Sequence, residues 1–406
     1  MRDRRPVGGP DDDADPGEVG GPAGRDPASD GRAAADPAEG TGLEDAVVAL
    51  PDGTVVLDDF TLLARPGELL AVLGPSGCGK STLLRAVAGL QPVRAGRVLL
   101  QGRDVTRLPP PARDVAMVFE RTTLLPTLDV ARNMGFGLAQ RRTAAAEVEQ
   151  RVDRQAQRLG IWGLLRRKPT EISMGQQGQA GIGRALVRVP KVFLLDEPLA
   201  HLDLAERARM RRLIAESVRS SGVATLYVTH DQTEAMAIGD RIAVLDAGRL
   251  QQVGTSAELY RRPVNLFVAD FVGQAPLGIV PAQVVVANGL AGYRVGDRTL
   301  MTWQPLPPGL AGSVGKRVTL GLRAESVTAV PTDPDPDATV LSGRVRAVER
   351  TGRDTFLTVD LPTGRLIGRF GGRFQIRAGE TIGLSVDPTA AHVFDPVTGR
   401  ALHHPE

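Results

Sequence analysis

Gly74-Pro75-Ser76-Gly77-Cys78-Gly79-Lys80-Ser81-Thr82 has the spacing G-x-x-x-x-G-K-S and directly follows the apolar run Glu68 to Leu73. Small residues let consecutive backbone N–H groups turn inward around phosphate oxygens, and a helix starting near Lys80 adds the positive end of its dipole. Lys80 suits the β and γ phosphates as a point charge, and the Ser81 hydroxyl suits a Mg2+ ion that keeps most of its waters. Only four of the 49 basic residues are lysine (Lys80, Lys168, Lys191 and Lys316), so a chain that otherwise writes arginine keeps lysine here. A second pattern is the apolar run from Pro190 that ends in Asp196-Glu197-Pro198. In open α/β sheets ligands bind at the carboxyl ends of strands, where these two carboxylates would lie. Asp196 suits a metal's water shell, and Glu197 suits orienting and deprotonating a water for in-line attack on a γ-phosphoryl group. His230 closes the run Ala224 to Thr229 and precedes Asp231-x-x-Glu234, the spacing of a capping box that opens a helix. With five histidines in the chain and no second one beside it, His230 reads as structural or catalytic rather than as a metal ligand.

These residues must be positioned by a large chain. At 406 residues the expectation is two to three domains of about 100–200 residues each. A net charge of +2, from 49 basic and 47 acidic residues, gives no electrostatic argument for nucleic acid or an anionic membrane surface. The single cysteine, Cys78, has no internal disulfide partner and sits inside the phosphate loop, where it reads as a small tolerated side chain in a reducing compartment. Met1-Arg-Asp-Arg-Arg-Pro lacks the apolar core of an export signal, and no apolar run reaches the roughly 18 residues of a membrane span. A cytoplasmic protein is expected.

Residues 1–42 are rich in Gly, Pro, Ala and Asp, with ten acidic and five basic residues, and read as a disordered tail. Residues 43–275 alternate short apolar runs with helical patterns and read as an α/β domain with a largely parallel sheet, its strands including Glu68 to Leu73, Lys191 to Leu195 and Ala224 to Thr229. A helical insertion is expected at about 121–170, where Val148, Val152, Ala156 and Leu159 recur at helical spacing. From 276 to 406 the texture changes to β-rich segments, such as Arg317 to Arg323, Leu341 to Val348, Thr355 to Leu361 and Thr381 to Val386, which suggests an all-β, barrel-type domain. At 4% aromatic and without an interleaved basic and aromatic stripe, that domain reads as regulatory or dimerising rather than nucleic-acid-binding.

Together these stretches resemble the ATP-binding subunit of ABC importers, in the branch with a C-terminal, OB-like TOBE domain that energises uptake of sugars and similar solutes. The resemblance runs from about Val47 to the C-terminus. Beyond the phosphate loop and Asp196-Glu197 it includes Ile172-Ser-Met-Gly-Gln-Gln177 at the LSGGQ signature, Leu199-Ala-His-Leu-Asp203 at the D-loop, and Val228 to Met236 at the switch histidine. It implies a P-loop NTPase fold with ATP and Mg2+ as ligands. Gly74 to Thr82 would cradle phosphates, and Ser81, Asp196 and Glu120 would serve the metal. Lys80, Glu197, Glu120 and His230 would carry catalysis, with His230 on the γ-phosphate. The resemblance also implies that two such subunits close head to tail, so that Ser173, Gly175 and Gln176 of one meet the nucleotide of the other and Asp203 couples the two sites. The partners implied are a second ATPase subunit in a homodimer or mixed dimer, permease membrane subunits contacted through the helical insertion, and a separate solute-binding protein. Nucleic acid is not among them. The expected location is peripheral, on the cytoplasmic face of the cell membrane, and the expected solute is a carbohydrate.

Several residues depart from the family pattern. Glu120 stands where the family has Gln, Met174 replaces the first signature glycine, Gln179 and Gly181 replace Arg and a small apolar residue, and Leu50 and Pro51 stand near the place of an adenine-stacking aromatic. A carboxylate cannot donate an amide's hydrogen bonds and adds negative charge beside phosphates, so reduced turnover is expected. The alternatives are a catalytically weak regulatory subunit, a partner in a mixed dimer, or a soluble ABC ATPase associated with nucleic acid.

Overall fold

The computed structural model describes residues 39–121, 123–273, 275–330 and 340–405. Most of the expected tail lies outside these residues. Its last two, Thr41 and Gly42, are not tail but open the strand Thr41–Ala49.

The central sheet has six strands in the order Arg249–Gly254, Arg241–Asp246, Leu69–Leu73, Ala224–Thr229, Val192–Asp196, Val115–Val118. All neighbours are parallel except the edge strand Arg249–Gly254. Leu69–Leu73, Val192–Asp196 and Ala224–Thr229 are buried along their whole length, as strands covered on both faces must be. Alternation then divides their side chains between two cores. Phe193, Leu195 and Tyr227 enter one with the helices, whereas Val192, Leu194, Leu226 and Val228 enter the other with the helix Lys80–Ala88.

That second core is closed by a four-stranded antiparallel sheet, Val55–Ala64, Thr41–Ala49, Val93–Leu100 and Arg103–Asp104. The largely parallel reading did not include it. The expected insertion is helical: Val130–Ala139 and Ala145–Leu159 pack with Met174–Leu186 in the first core, and Val152, Ala156 and Leu159 point inward as their spacing requires.

From Gly278 onward the chain forms an eleven-stranded antiparallel sheet around one core. It includes the four anticipated segments as Arg317–Leu322, Val340–Arg350, Asp354–Leu361 and Thr381–Val386. Arg323 ties this domain to the ATPase half. Its guanidinium is buried, donates to the carbonyls of Ala269 (2.7 Å), Val272 (2.5 Å) and Tyr260 (3.1 Å), and lies 4.2 Å from the Tyr260 ring centre. The chain around the start of the last strand, Ala401–His403, adds two backbone bonds, from Leu266 N to the Gly399 carbonyl and from Ala401 N to the Val264 carbonyl.

His392 is buried in this domain, with its Nδ1 3.2 Å from Nδ1 of His404, so one ring donates and the other accepts. Burial lowers its pKa to about 3, and nearby Arg323 and His404 add to the effect. Above its ordinary value of 6.5 His392 is neutral in both the folded and the unfolded chain. As pH falls from 6.5 toward about 3 only the unfolded chain takes up the proton, and stability is lost across that window. Denaturation midpoints measured across it should therefore fall with acidification, and His392→Phe should flatten the slope.

Candidate functional site

The phosphate loop leaves the buried strand Leu69–Leu73 and enters the helix Lys80–Ala88 through two left-handed glycines, Gly77 (φ 81°) and Gly79 (φ 105°). A Cβ at Gly79 would come within 2.9 Å of Leu57 Cδ2, and one at Gly74 within 2.4 Å of the Leu245 carbonyl oxygen. A Cβ at Gly77 would meet nothing within 4 Å, so that side of the loop is free for a ligand's approach. Cys78 is buried beneath the loop, and burial raises its thiol pKa, which suits packing rather than nucleophilic chemistry. At the far end of the same helix the buried Arg113 guanidinium donates to the carbonyls of Ala86 and Val87, both at 2.9 Å, and caps the negative end of the dipole.

Three polar side chains, those of Lys80, Ser81 and Asp196, meet at the loop. Lys80 is buried, and its Nζ donates to the carbonyls of Gly74 and Pro75, both at 2.8 Å. Ser81 Oγ donates to Asp196 Oδ1 at 3.0 Å. Burial raises the Asp196 pKa and the Ser81 bond opposes this, while the charges of Glu197 and Glu120 push it further up. Glu120 thus lies in the same electrostatic field as Asp196. Ser81 and Asp196 together offer hard oxygen donors of the kind Mg2+ takes.

Beside this cluster stands a second pair. Glu197 follows Asp196 with φ 44°, a left-handed conformation that is strained for a non-glycine residue and recurs at functional sites. Its N–H donates to the Val228 carbonyl (2.9 Å), and its Oε2 lies 2.8 Å from His230 Nδ1. His230 keeps 59% of its side chain exposed, so the rest of the ring stays accessible.

The segment after His230 corrects one sequence expectation. Asp231 Oδ1 accepts from Glu234 N (3.0 Å) and caps the helix Gln232–Ile238, but the reciprocal half of the capping box is missing. Asp231 N donates to Thr229 Oγ1 (3.0 Å) instead. Glu234 turns inward, where its carboxylate accepts from the buried Tyr227 hydroxyl and from Thr229 Oγ1 (2.8 Å). Burial raises the Glu234 pKa against the pull of these two bonds.

The remaining candidates lie on other helix starts. Ser173 caps Met174–Leu186 in a capping box with Gln176, at 3.2 and 3.0 Å, and Met174 stands 64% exposed beside it. Gly175 faces Leu202 and Glu206. Asp203 Oδ1 accepts from Glu206 N (2.8 Å) and caps Leu204–Ser221. Among the described residues no hydrogen bond or ion pair joins Ser173, Gly175, Gln176 or Asp203 to the phosphate loop of their own chain.

Sequence reasoning missed Arg207. Its Nε donates to the Leu202 carbonyl (2.9 Å) and its Nη2 to that of Ala200 (3.1 Å), while Nη1 lies 4.0 Å from Asp231 Oδ2. It fastens the segment before Asp203 to the segment after His230. No local signal marks it, since an arginine in a helix's first turn looks like any solvated one.

Comparison with known proteins adds three findings. An ABC transporter family model matches residues 57–200, and a TOBE domain model matches 314–394. The chain is 42% identical, over 86% of its length and 96% of the relative's, to the sn-glycerol-3-phosphate import ATP-binding protein of Cereibacter sphaeroides. It is 38% identical, over 85% and 94%, to the trehalose/maltose import ATP-binding protein of Thermococcus litoralis. A solved ATP-binding subunit of an ABC transporter shares the fold at a TM-score of 0.50 and 24% identity, over 54% of this chain and 90% of that one.

Arg207→Ala should leave the carbonyls of Ala200 and Leu202 without their donor and cost about 1–3 kcal/mol in a denaturant titration. Arg207→Lys should recover only part of this, because an ammonium lacks the planar fork that reaches both oxygens.

Proposed function

The chain belongs to the ATP-binding subunits of ABC importers, transport-coupled ATPases, and from that premise we propose that Glu197, His230, Lys80 and Ser81 carry out ATP hydrolysis that drives uptake of a carbohydrate. The observation that carries this reading is the pairing of Ser81 with Asp196 at 3.0 Å next to the pairing of Glu197 with His230 at 2.8 Å, both at one edge of the sheet. Relatives named for glycerol phosphate and for trehalose and maltose import supply the solute class.

In this reading the backbone N–H groups of Gly77 to Lys80 and the Lys80 ammonium hold the phosphates, in a loop that a side chain at Gly74 or Gly79 would push off its scaffold of Leu245, Cys78 and Leu57. A Mg2+ ion bound near Ser81 and Asp196 would offset phosphate charge. Glu197 orients the attacking water and takes its proton. His230 fixes the Glu197 carboxylate through Nδ1 and directs its exposed ring edge toward the γ-phosphate. Glu120 sits close enough to add charge at the metal side.

Ser173, Gly175 and Gln176 act on the nucleotide of a second subunit, in a homodimer or a mixed dimer, with Asp203 coupling the two sites. Their outward placement, and the lack among the described residues of any hydrogen bond or ion pair to their own loop, support this. The helical insertion, about residues 121–170, meets the permease, and a separate solute-binding protein delivers cargo on the other side. Among the described residues no helix is long and apolar enough to cross a membrane. We place the subunit peripherally on the cytoplasmic face, held by its permease. A weakly active regulatory subunit, which Glu120 and Met174 suggest, draws no support from these relatives.

Glu197→Gln should lower kcat by roughly 10²–10⁴-fold while ATP affinity stays within about threefold of wild type. Steady-state ATPase assays with nucleotide titration read both quantities, and a variant with undiminished turnover would refute Glu197 as the base.

A further inference from the structure

We propose that the β-rich domain carries a carbohydrate-binding site centred on Trp303, separate from the nucleotide site. Trp303 is one of two tryptophans in a chain that is only 4% aromatic, and 74% of its surface is exposed. It lies on the strand Arg298–Pro305, where pairing with Leu290–Val295 slips: Gly292 faces Met301, yet Leu290 faces Pro305. The extra residues form a bulge, and Trp303 takes the left-handed φ of 56°. Thr302 locks the bulge by donating Oγ1 to the Ala291 carbonyl at 2.8 Å and accepting from Gln304 N at 3.3 Å. Bulges of this kind re-aim side chains, and a left-handed bulky residue is costly enough that the surrounding structure must enforce it. What is enforced here is an indole held in water.

The indole borders a cleft of about 570 Å³, within the range of small-ligand sites, whose walls include Met301, Glu325, Ser385, Asp387 and Thr389. No lysine or arginine lines it among the described residues, which disfavours a phosphate or other anion. Its two carboxylates keep acceptor oxygens free. Asp387 uses Oδ1 for Thr389, at 2.9 and 2.6 Å, and Glu325 uses Oε1 for the Tyr260 hydroxyl, so Asp387 Oδ2 and Glu325 Oε2 make no hydrogen bond among the described residues. The Glu325 charge also interacts favourably with Arg369, which makes the cleft a weaker match for a free cation. An aromatic face beside acceptor-only oxygens fits a ligand with an apolar C–H face and hydroxyl donors at its rim. A pyranose has both. The site would take such a ligand whichever solute the transporter carries.

The test uses the full chain with Trp162→Phe, so that Trp303 is the only indole, and titrates glucose, maltose and trehalose while following its emission. A saturable shift with a Kd on the order of 1 mM or tighter is expected for at least one of them. Asp387→Asn in the same background should weaken binding roughly tenfold without changing ATP affinity. Trp303→Ala, followed by calorimetry, should abolish the sugar heat while ATP still binds. Protein that binds ATP but shows no saturable sugar response overturns the proposal. So does saturation by choline in place of sugar, or an emission change that follows protein concentration and marks a second copy seated on the indole.

Discussion

The chemistry of this protein depends on lateral register in its parallel sheet. Leu73 pairs with Thr229, and Asp196 with Val228, so three neighbouring strands end at nearly the same level. The residues that follow them, Gly74, Glu197 and His230, therefore emerge side by side although Gly74 lies more than a hundred residues before the other two in the sequence. A shift of one residue in any pairing would turn a carboxylate or the histidine to the opposite face of the sheet. The dense burial of Leu69–Leu73, Val192–Asp196 and Ala224–Thr229 protects that register, since each strand is packed against a separate core on either side.

Arginine does much of the remaining fastening, and it does so through backbone carbonyls. Arg113 holds the end of the phosphate-loop helix, Arg207 the segment before Asp203, and Arg323 the turn that leads into the β-rich domain. Arg241 joins Glu68 at 2.5 Å at the base of the central strand. A planar guanidinium can satisfy several carbonyls that would otherwise be buried without donors. Arg323 also lies against the site's own scaffold. Gln232, next to the cap that follows His230, accepts from Gly273 N at 2.9 Å, and a side chain at Gly273 would collide with Arg323 Nη1 at 2.8 Å. The β-rich domain and the helix behind the histidine are thus in mechanical contact.

How much of this was legible in the sequence varied with the range of the interaction. The phosphate loop and Asp196-Glu197 were readable because their chemistry fixes spacing within a few residues. The insertion helix was readable because Val152, Ala156 and Leu159 repeat with the helical period. The antiparallel sheet of the ATPase half was not. Its strand Thr41–Ala49 slips register three times against Val55–Ala64, and Asp45 and Asp59 adopt left-handed φ of 46°, so alternation is broken where it would have signalled a strand. The Asp231 and Glu234 spacing pointed correctly to a helix start, but a buried tyrosine and threonine outcompeted the backbone N–H for the Glu234 carboxylate. The arginine clamps left no trace, because a backbone carbonyl has no residue type to pair with in a sequence.

In the proposed function a triphosphate is gripped at this shared edge, with Lys80 as its principal cation. The most direct measurement is equilibrium ATP binding to wild type and to Lys80→Ala, with folding checked by circular dichroism. A loss of at least roughly tenfold in affinity is predicted from removing a charge-assisted bond. A folded Lys80→Ala protein that binds ATP as tightly as wild type would show that the triphosphate is not held there.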